Sequence, residues 1–159
     1  MSMRTVKVLG WGVGTANIVA VYNESTVFSG DVVLEEMNDT NQGEKTSPAV
    51  FSFDIPMEEF GTKKMSITVN NAQVRFGQIV ANYTPQGVEQ YGSGPNDYAD
   101  VVDFDEEHNR DPRSNVKIDG VEQLVDRKKY GGGGTWHWFV NPGSTFEHDL
   151  TITYPGKAD

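Results

Sequence analysis

The chain has 159 residues, no cysteine, and 23 acidic against 13 basic side chains, which gives a formal net charge of -10. This length fits one domain that buries a core without cross-links, and the missing cysteines exclude a disulfide scaffold, a thiolate zinc site and a cysteine nucleophile. The acidic balance argues against nucleic-acid and anionic membrane partners, which need a basic face, and no apolar run approaches the roughly 20 residues that span a bilayer.

The apolar residues favour β-structure. Val and Ile number 19 and 6, against 4 Leu and 7 Ala, and 17 Gly and 7 Pro are spread along the chain. Branched side chains suit a pleated sheet, while Ala and Leu suit helices. Many short strands with Gly- and Pro-rich turns predict an all-β protein, an antiparallel β-sandwich that is jelly-roll-like.

Alternating or β-branched runs predict the strands of the first half in chain order. They lie at 5–8, 16–22, 25–35, 50–55, 65–69 and 74–83, with a kink at Gly77 in the last. Residues 38–47 are polar and are predicted as a loop. Gly10, Gly12 and Gly14 surround Trp11 but lack the spacing of a dinucleotide fingerprint, so they are interpreted as shaping a strand-to-strand turn.

The second half begins with a polar stretch at about 84–114, predicted as a long acidic loop of a single domain that spans 1–159. Asp119-Gly120 lies between two alternating runs and predicts a hairpin with a type I′ turn. Residues 136–140 and 146–154 are predicted as the closing strands.

The acidic loop is the first candidate for chemistry, because 97–111 holds seven carboxylates in fifteen residues. Their mutual repulsion is costly in a folded loop without a counter-ion. A hard cation that prefers oxygen ligands would remove this cost, which favours calcium over zinc. The alternative is a solvated loop whose charges stay apart in water.

Aromatic residues are the second candidate, because flat rings stack on the apolar faces of sugars. Tyr91 and Tyr98 flank the acidic loop among small polar residues, where exposed aromatics often contact a partner. Trp136 and Trp138 are two apart, so a strand would place them on one face and His137 on the other. Packing in the core is the competing interpretation for any single Trp.

Three segments carry a resemblance to a known family: 6–18, with its Gly-rich turn, 65–71, a strand that runs into Asn70-Asn71, and 111–121. Together they resemble the calcium-dependent xylan-binding carbohydrate-binding modules, jelly-roll β-sandwiches often attached to bacterial glycoside hydrolases and also found in predicted phage proteins. In that family, loop carboxylates hold a calcium ion whose coordination is completed by sugar hydroxyls. The resemblance implies Asp111 and Asn115 as calcium ligands, with neighbours among Asp103, Asp105 and Glu107.

The expected function is therefore a non-catalytic binding module that holds a polysaccharide or glycan through calcium and through Tyr91, Tyr98, Trp136 and Trp138. The alternative is a viral (phage) virion structural or decoration protein. Assembly of the chain into a homo-oligomer or a virion is an open possibility under both interpretations. An enzyme is not expected, because no nucleophile, base and orienting group can be picked out. The expected location is extracellular or on a virion surface, although Met1 to Gly10 shows no signal peptide.

Overall fold

The computed structural model describes residues 3–42, 46–56, 59, 61–81, 101–102, 116–123 and 137–152. Within these ranges the chain forms eleven strands and no helix, so no described helix could cross a membrane. The strands are β1 (Met3–Gly12), β2 (Thr15–Tyr22), β3 (Ser25–Val33), β4 (Ala49–Pro56), β5 (Gly61–Asn70), β6 (Val74–Ala81), β7 (Val101–Val102), β8 (Val116–Ile118), β9 (Val121–Glu122), β10 (Trp138–Val140) and β11 (Thr145–Ile152).

The described strands form two antiparallel sheets, which confirms the predicted all-β sandwich. The first sheet has the order β10-β6-β1-β4. The second has the order β3-β2-β5-β11-β8-β9, and β7 also pairs with β11. Strand β11 pairs with β5 along its whole length and with β8 on its other side, so it occupies the middle of the second sheet.

The core lies between the two sheets and follows from the alternation of the sequence. In β2, every second residue is buried, beginning with Ala16 and ending with Tyr22, while the residues between them are more exposed. Phe76 of the first sheet stacks on Phe146 of the second, with ring centroids 5.1 Å apart. Period-two alternation thus directs one face of each sheet inward, as expected for strands covered on one side.

Of the three glycines around Trp11, Gly14 has the predicted role, because it lies in the turn between β1 and β2 with a φ of 94°, whereas Gly10 and Gly12 play a different one. Gly10 and Gly12 lie inside β1, and the turn to β2 begins after Gly12. A Cβ atom at Gly10 would lie 2.9 Å from the Cγ2 of Val50, and one at Gly12 would lie 2.6 Å from the Cδ1 of Leu34. The backbone carbonyl oxygens of Arg75 and Gln73 would lie 2.8 Å from these two Cβ atoms as well. These positions therefore need glycine because core side chains and the neighbouring backbone approach them, and not because the chain turns there.

The predicted hairpin at Asp119-Gly120 is confirmed. Both residues have positive φ angles, 50° and 81°, and Lys117 pairs with Glu122 across the turn. The Asp119 carboxylate accepts a hydrogen bond of 2.9 Å from the backbone N–H of Thr145, which lowers the pKa of Asp119. The turn residue thus fastens the hairpin to β11.

Candidate functional site

Most of the site residues predicted from the sequence lie outside the described part of the chain. This holds for the five predicted calcium ligands and for three of the predicted aromatic contacts: Asp103, Asp105, Glu107, Asp111, Asn115, Tyr91, Tyr98 and Trp136. Val101–Val102, inside the predicted acidic loop, form β7. Within the described ranges, no group of three or more His, Asp or Glu side chains could hold a metal ion.

Trp138, the fourth predicted aromatic contact, lies in the core. Its side chain is 5% exposed, and its ring packs against Phe146 and His148, with centroids 5.6 Å and 5.7 Å away. Trp138 and Val140 both point inward, because they are two apart on β10, and this leaves Phe139 pointing outward. In this structure Trp138 therefore offers no open face to a sugar ring, and Phe139 is the accessible aromatic of β10.

A buried imidazole lies next to Trp138. His148 is fully buried, and its Nδ1 lies 2.8 Å from the backbone carbonyl oxygen of Asp149, to which a protonated Nδ1 would donate. Neither the Nε2 of His148 nor the Nε1 of Trp138 has a hydrogen-bond partner among the described residues. Burial lowers the pKa of His148 to about 4, against a smaller raising effect of Asp149, so this imidazole is neutral at pH 7.

The outward face of the first sheet brings together polar and aromatic side chains from distant parts of the chain. Arg75 on β6 pairs with Phe139 on β10 and with Trp11 on β1, and directly paired residues project from the same face. The same ladder places Gln73 beside Asn141, whose side-chain amides are hydrogen bonded at 2.8 Å. We call the surface formed by Gln73, Arg75, His137, Phe139 and Asn141 the Arg75 face.

Trp11 is buried beneath the His137 end of the Arg75 face. Its ring lies against Gly77, where a Cβ atom would come within 2.9 Å of the ring, and its centroid is 4.8 Å from that of His137. The Trp11 side chain is 1% exposed, and its Nε1 donates a 2.8 Å hydrogen bond to the backbone carbonyl of Asn41. A missing side chain at Gly77 thus lets the indole reach across β6 to His137.

The loop before β4, which contains the Asn41 carbonyl that accepts from Trp11, is itself held by side-chain hydrogen bonds. The buried amide of Asn41 donates to the carbonyl of Glu36 at 2.9 Å and accepts from the backbone N–H of Asn38 at 2.8 Å. The Asn38 carboxamide oxygen in turn accepts from the backbone N–H of Thr40 at 2.8 Å. This polar loop, predicted only as a connection, therefore fixes Trp11 in place.

Arg75 is held from two sides. Its Nε donates a 2.9 Å hydrogen bond to the Nδ1 of His137, and its guanidinium carbon lies 4.8 Å from the centroid of the Phe139 ring. Burial, and then the positive charge of Arg75, lower the pKa of His137 to about 4. His137 is therefore neutral at pH 7, with Nδ1 as acceptor and the proton on Nε2.

Several hydrogen-bonding groups of the Arg75 face remain open among the described residues. The two terminal nitrogens of Arg75 and the Nε2–H of His137 have no partner there, and Gln73 and Asn141 are exposed beside them. Phe139 is 52% exposed. An exposed ring next to fixed, unfilled donors can hold a ligand that combines an apolar face with polar edges.

Sequence reasoning missed the Arg75 face because its residues are far apart in the chain, 62 positions separating Arg75 from His137. The available signal was alternation: Val74 and Phe76 point inward, so Gln73 and Arg75 must point outward. That signal identifies a face but not the strand beside it. A search of protein-family models, of curated proteins and of solved structures finds no match to this chain.

Proposed function

We propose that the protein is a non-catalytic binding module for a polysaccharide or glycan, and that the Arg75 face is its contact surface. The single observation that carries this proposal is the pairing of the exposed Phe139 ring with the guanidinium of Arg75, whose terminal nitrogens have no described hydrogen-bond partner. Pyranose rings have apolar C–H faces and hydroxyl edges. A ring flanked by planar amide and guanidinium groups matches both features.

The dimensions of the Arg75 face suit an extended ligand. From His137 to Asn141 the face follows β10 and the residue on either side of it, which spans roughly 13 Å at about 3.3 Å per residue. Phe139 lies at the middle of this distance, with His137 at one end and Asn141 at the other. A sugar stacked on Phe139 would therefore have hydrogen-bonding groups on both sides along the strand.

Calcium is the second part of the proposal. Its ligands would be Asp103, Asp105, Glu107, Asp111 and Asn115, as the resemblance to calcium-dependent xylan-binding modules implies, with Tyr91, Tyr98 and Trp136 as further sugar contacts. Titration calorimetry with calcium, and melting with and without EDTA, test this part separately. No heat and no change in melting temperature would contradict it.

Affinity electrophoresis of the whole chain against soluble polysaccharides tests the surface itself. Phe139→Ala removes the stacking ring, and we expect binding to weaken by about fivefold, since an aromatic contact contributes on the order of 1 kcal/mol. Val121→Ala is the matched control, because Val121 is a 64% exposed apolar residue on the second sheet.

The outcomes separate the two surfaces. Binding that survives Phe139→Ala but disappears with EDTA would place the sugar at the acidic loop and remove the Arg75 face from the proposal. Failure of the wild-type chain to retain any polysaccharide, with calcium present, would overturn the glycan-binding function.

A subunit of a virion or other assembly is the second candidate, and one observation favours it. Strand β3 pairs with β2 on one side and with no other described strand, and Val33 at its end is 79% exposed. An unpaired edge can accept a strand from a second copy of the chain. Analytical ultracentrifugation tests this: self-association that Val33→Lys abolishes supports it, and a monomer at high concentration contradicts it.

A further inference from the structure

We infer that the glycan held by the Arg75 face carries a carboxylate, and that Arg75 binds this group. This inference rests on the proposed glycan-binding function and specifies its substrate class as acidic sugars, such as uronic acids. It is carried by the hydrogen-bonding balance, the charges and the geometry of the face.

The first support is the balance of donors and acceptors. The terminal nitrogens of Arg75 offer four N–H groups, and the Nε2 of His137 offers a fifth, while the Nδ1 acceptor of His137 is already occupied by Arg75. A neutral sugar edge presents hydroxyls that both donate and accept. A surface that mainly donates instead complements a group that only accepts, and an ionised carboxylate is such a group.

The second support is the charge around Arg75. In a chain with 23 acidic residues, no described carboxylate forms an ion pair with Arg75. Asp54, on β4, accepts a 2.7 Å hydrogen bond from the hydroxyl of Thr5. Glu35, Glu36 and Asp39 belong to the chain segment that holds Trp11, and no described ion pair joins them to Arg75. The charge of Arg75 thus has no carboxylate partner among the described residues.

The third support is geometry. The hydrogen bond to His137 and the ring of Phe139 hold the guanidinium in place. Because Nε donates the bond to His137, both terminal nitrogens remain available as a fork. A planar fork binds a carboxylate through two parallel hydrogen bonds. The carboxylate of a uronic acid is attached directly to the ring carbon, so a ring near Phe139 could bring that group close to Arg75.

Paired ligands make the test sharp. Oligosaccharides of galacturonate, glucuronate and mannuronate, each short enough not to gel with calcium, are compared with their carboxyl-reduced counterparts by calorimetry. Measurements at physiological ionic strength screen the overall negative charge of the protein beyond about 8 Å. We expect at least one acidic oligosaccharide to bind about tenfold or more tightly than its reduced counterpart, because hydrogen bonds to charged groups are stronger than neutral ones.

Variants assign the effect to Arg75. Arg75→Gln should remove the preference for the acidic member, so that the acidic and reduced members bind this variant with equal affinity. Lys117→Gln, a charge-matched change at an exposed residue of β8 in the second sheet, should leave both affinities unchanged. Circular dichroism and melting curves verify that both variants fold.

Three results would overturn the inference. If acidic and reduced members bind equally and Phe139→Ala still weakens both, the inference of a carboxylate ligand fails while the proposed glycan-binding function holds. An acidic preference that persists in Arg75→Gln would assign it to other residues. Poly-L-glutamate binding as tightly as the uronic acid oligosaccharides would show that the sugar is not recognised.

Discussion

Acidification should destabilise this protein through His148. The folded-state pKa of His148 is lowered to about 4 by burial, whereas an exposed histidine has a pKa of 6.5. Between these values the unfolded chain binds the proton and the folded chain does not. The contribution of His148 to the free energy of unfolding is therefore fully present above pH 6.5 and is lost as the pH falls towards 4.

The magnitude follows from the two pKa values. The full difference corresponds to about 3 kcal/mol, and the part lost between pH 7 and pH 5 is about 2 kcal/mol. For a domain of this size, that loss lowers the melting temperature by roughly 4–8 °C. His137 has the same direction of shift but is only half-buried, so solvent reduces its contribution to well below that of His148.

Urea unfolding followed by tryptophan fluorescence at pH 7 and pH 5 measures the effect. We expect His148→Leu to lose most of the pH dependence, because leucine binds no proton in either state. His137→Gln is the matched control and should keep most of it. A wild-type chain with equal stability at both pH values, or a His148→Leu chain with an unchanged pH dependence, would refute the assignment of a buried neutral imidazole.

Two glycine substitutions separate packing from backbone conformation. Gly77→Ala should lower the free energy of unfolding by about 1–3 kcal/mol, because its Cβ would lie 2.9 Å from the rigid Trp11 ring; an unchanged melting temperature would contradict this close contact. Gly120→Ala should cost about 1 kcal/mol although the added Cβ would meet no described atom within 4 Å beyond its own chain neighbours, because φ is +81° there. Gly120→Asn should recover much of that loss, since asparagine tolerates this conformation, and equal melting temperatures for the two variants would argue against a backbone origin.

The fold was predictable from local patterns because each of them has a local physical cause. Alternation between Ala16 and Tyr22 reflects a strand with one covered face, and Asp119-Gly120 supplies the two positive φ angles of a tight hairpin. Gly10 and Gly12 were misinterpreted as turn residues. Their cause is the approach of the Val50 and Leu34 side chains and of the backbone at Gln73 and Arg75, all distant in sequence, so no local pattern could show it.

The candidate site was less predictable. The surroundings of a side chain depend on which face of the sheet it occupies and on which strand lies beside its own. Alternation predicts that His137 and Trp138 point to opposite faces, and the structure confirms this: Trp138 packs in the core and His137 contacts Trp11. Sequence alone could not decide which of the two faces is the core. Nor could it show that β6 lies beside β10, which is what brings Arg75 to Phe139.

The central position of β11 has a consequence for synthesis on the ribosome. Strands β2 and β5 form one part of the second sheet and β8 and β9 another, and among the described strands only β11 joins the two parts. The ribosome makes β11 after all of these strands, and Phe146, which stacks on Phe76, arrives with it. A nascent chain that ends before residue 145 therefore exposes an unfinished core. Chaperones that shield apolar surface would have their longest opportunity to bind in that interval, since pairings between distant segments form slowly.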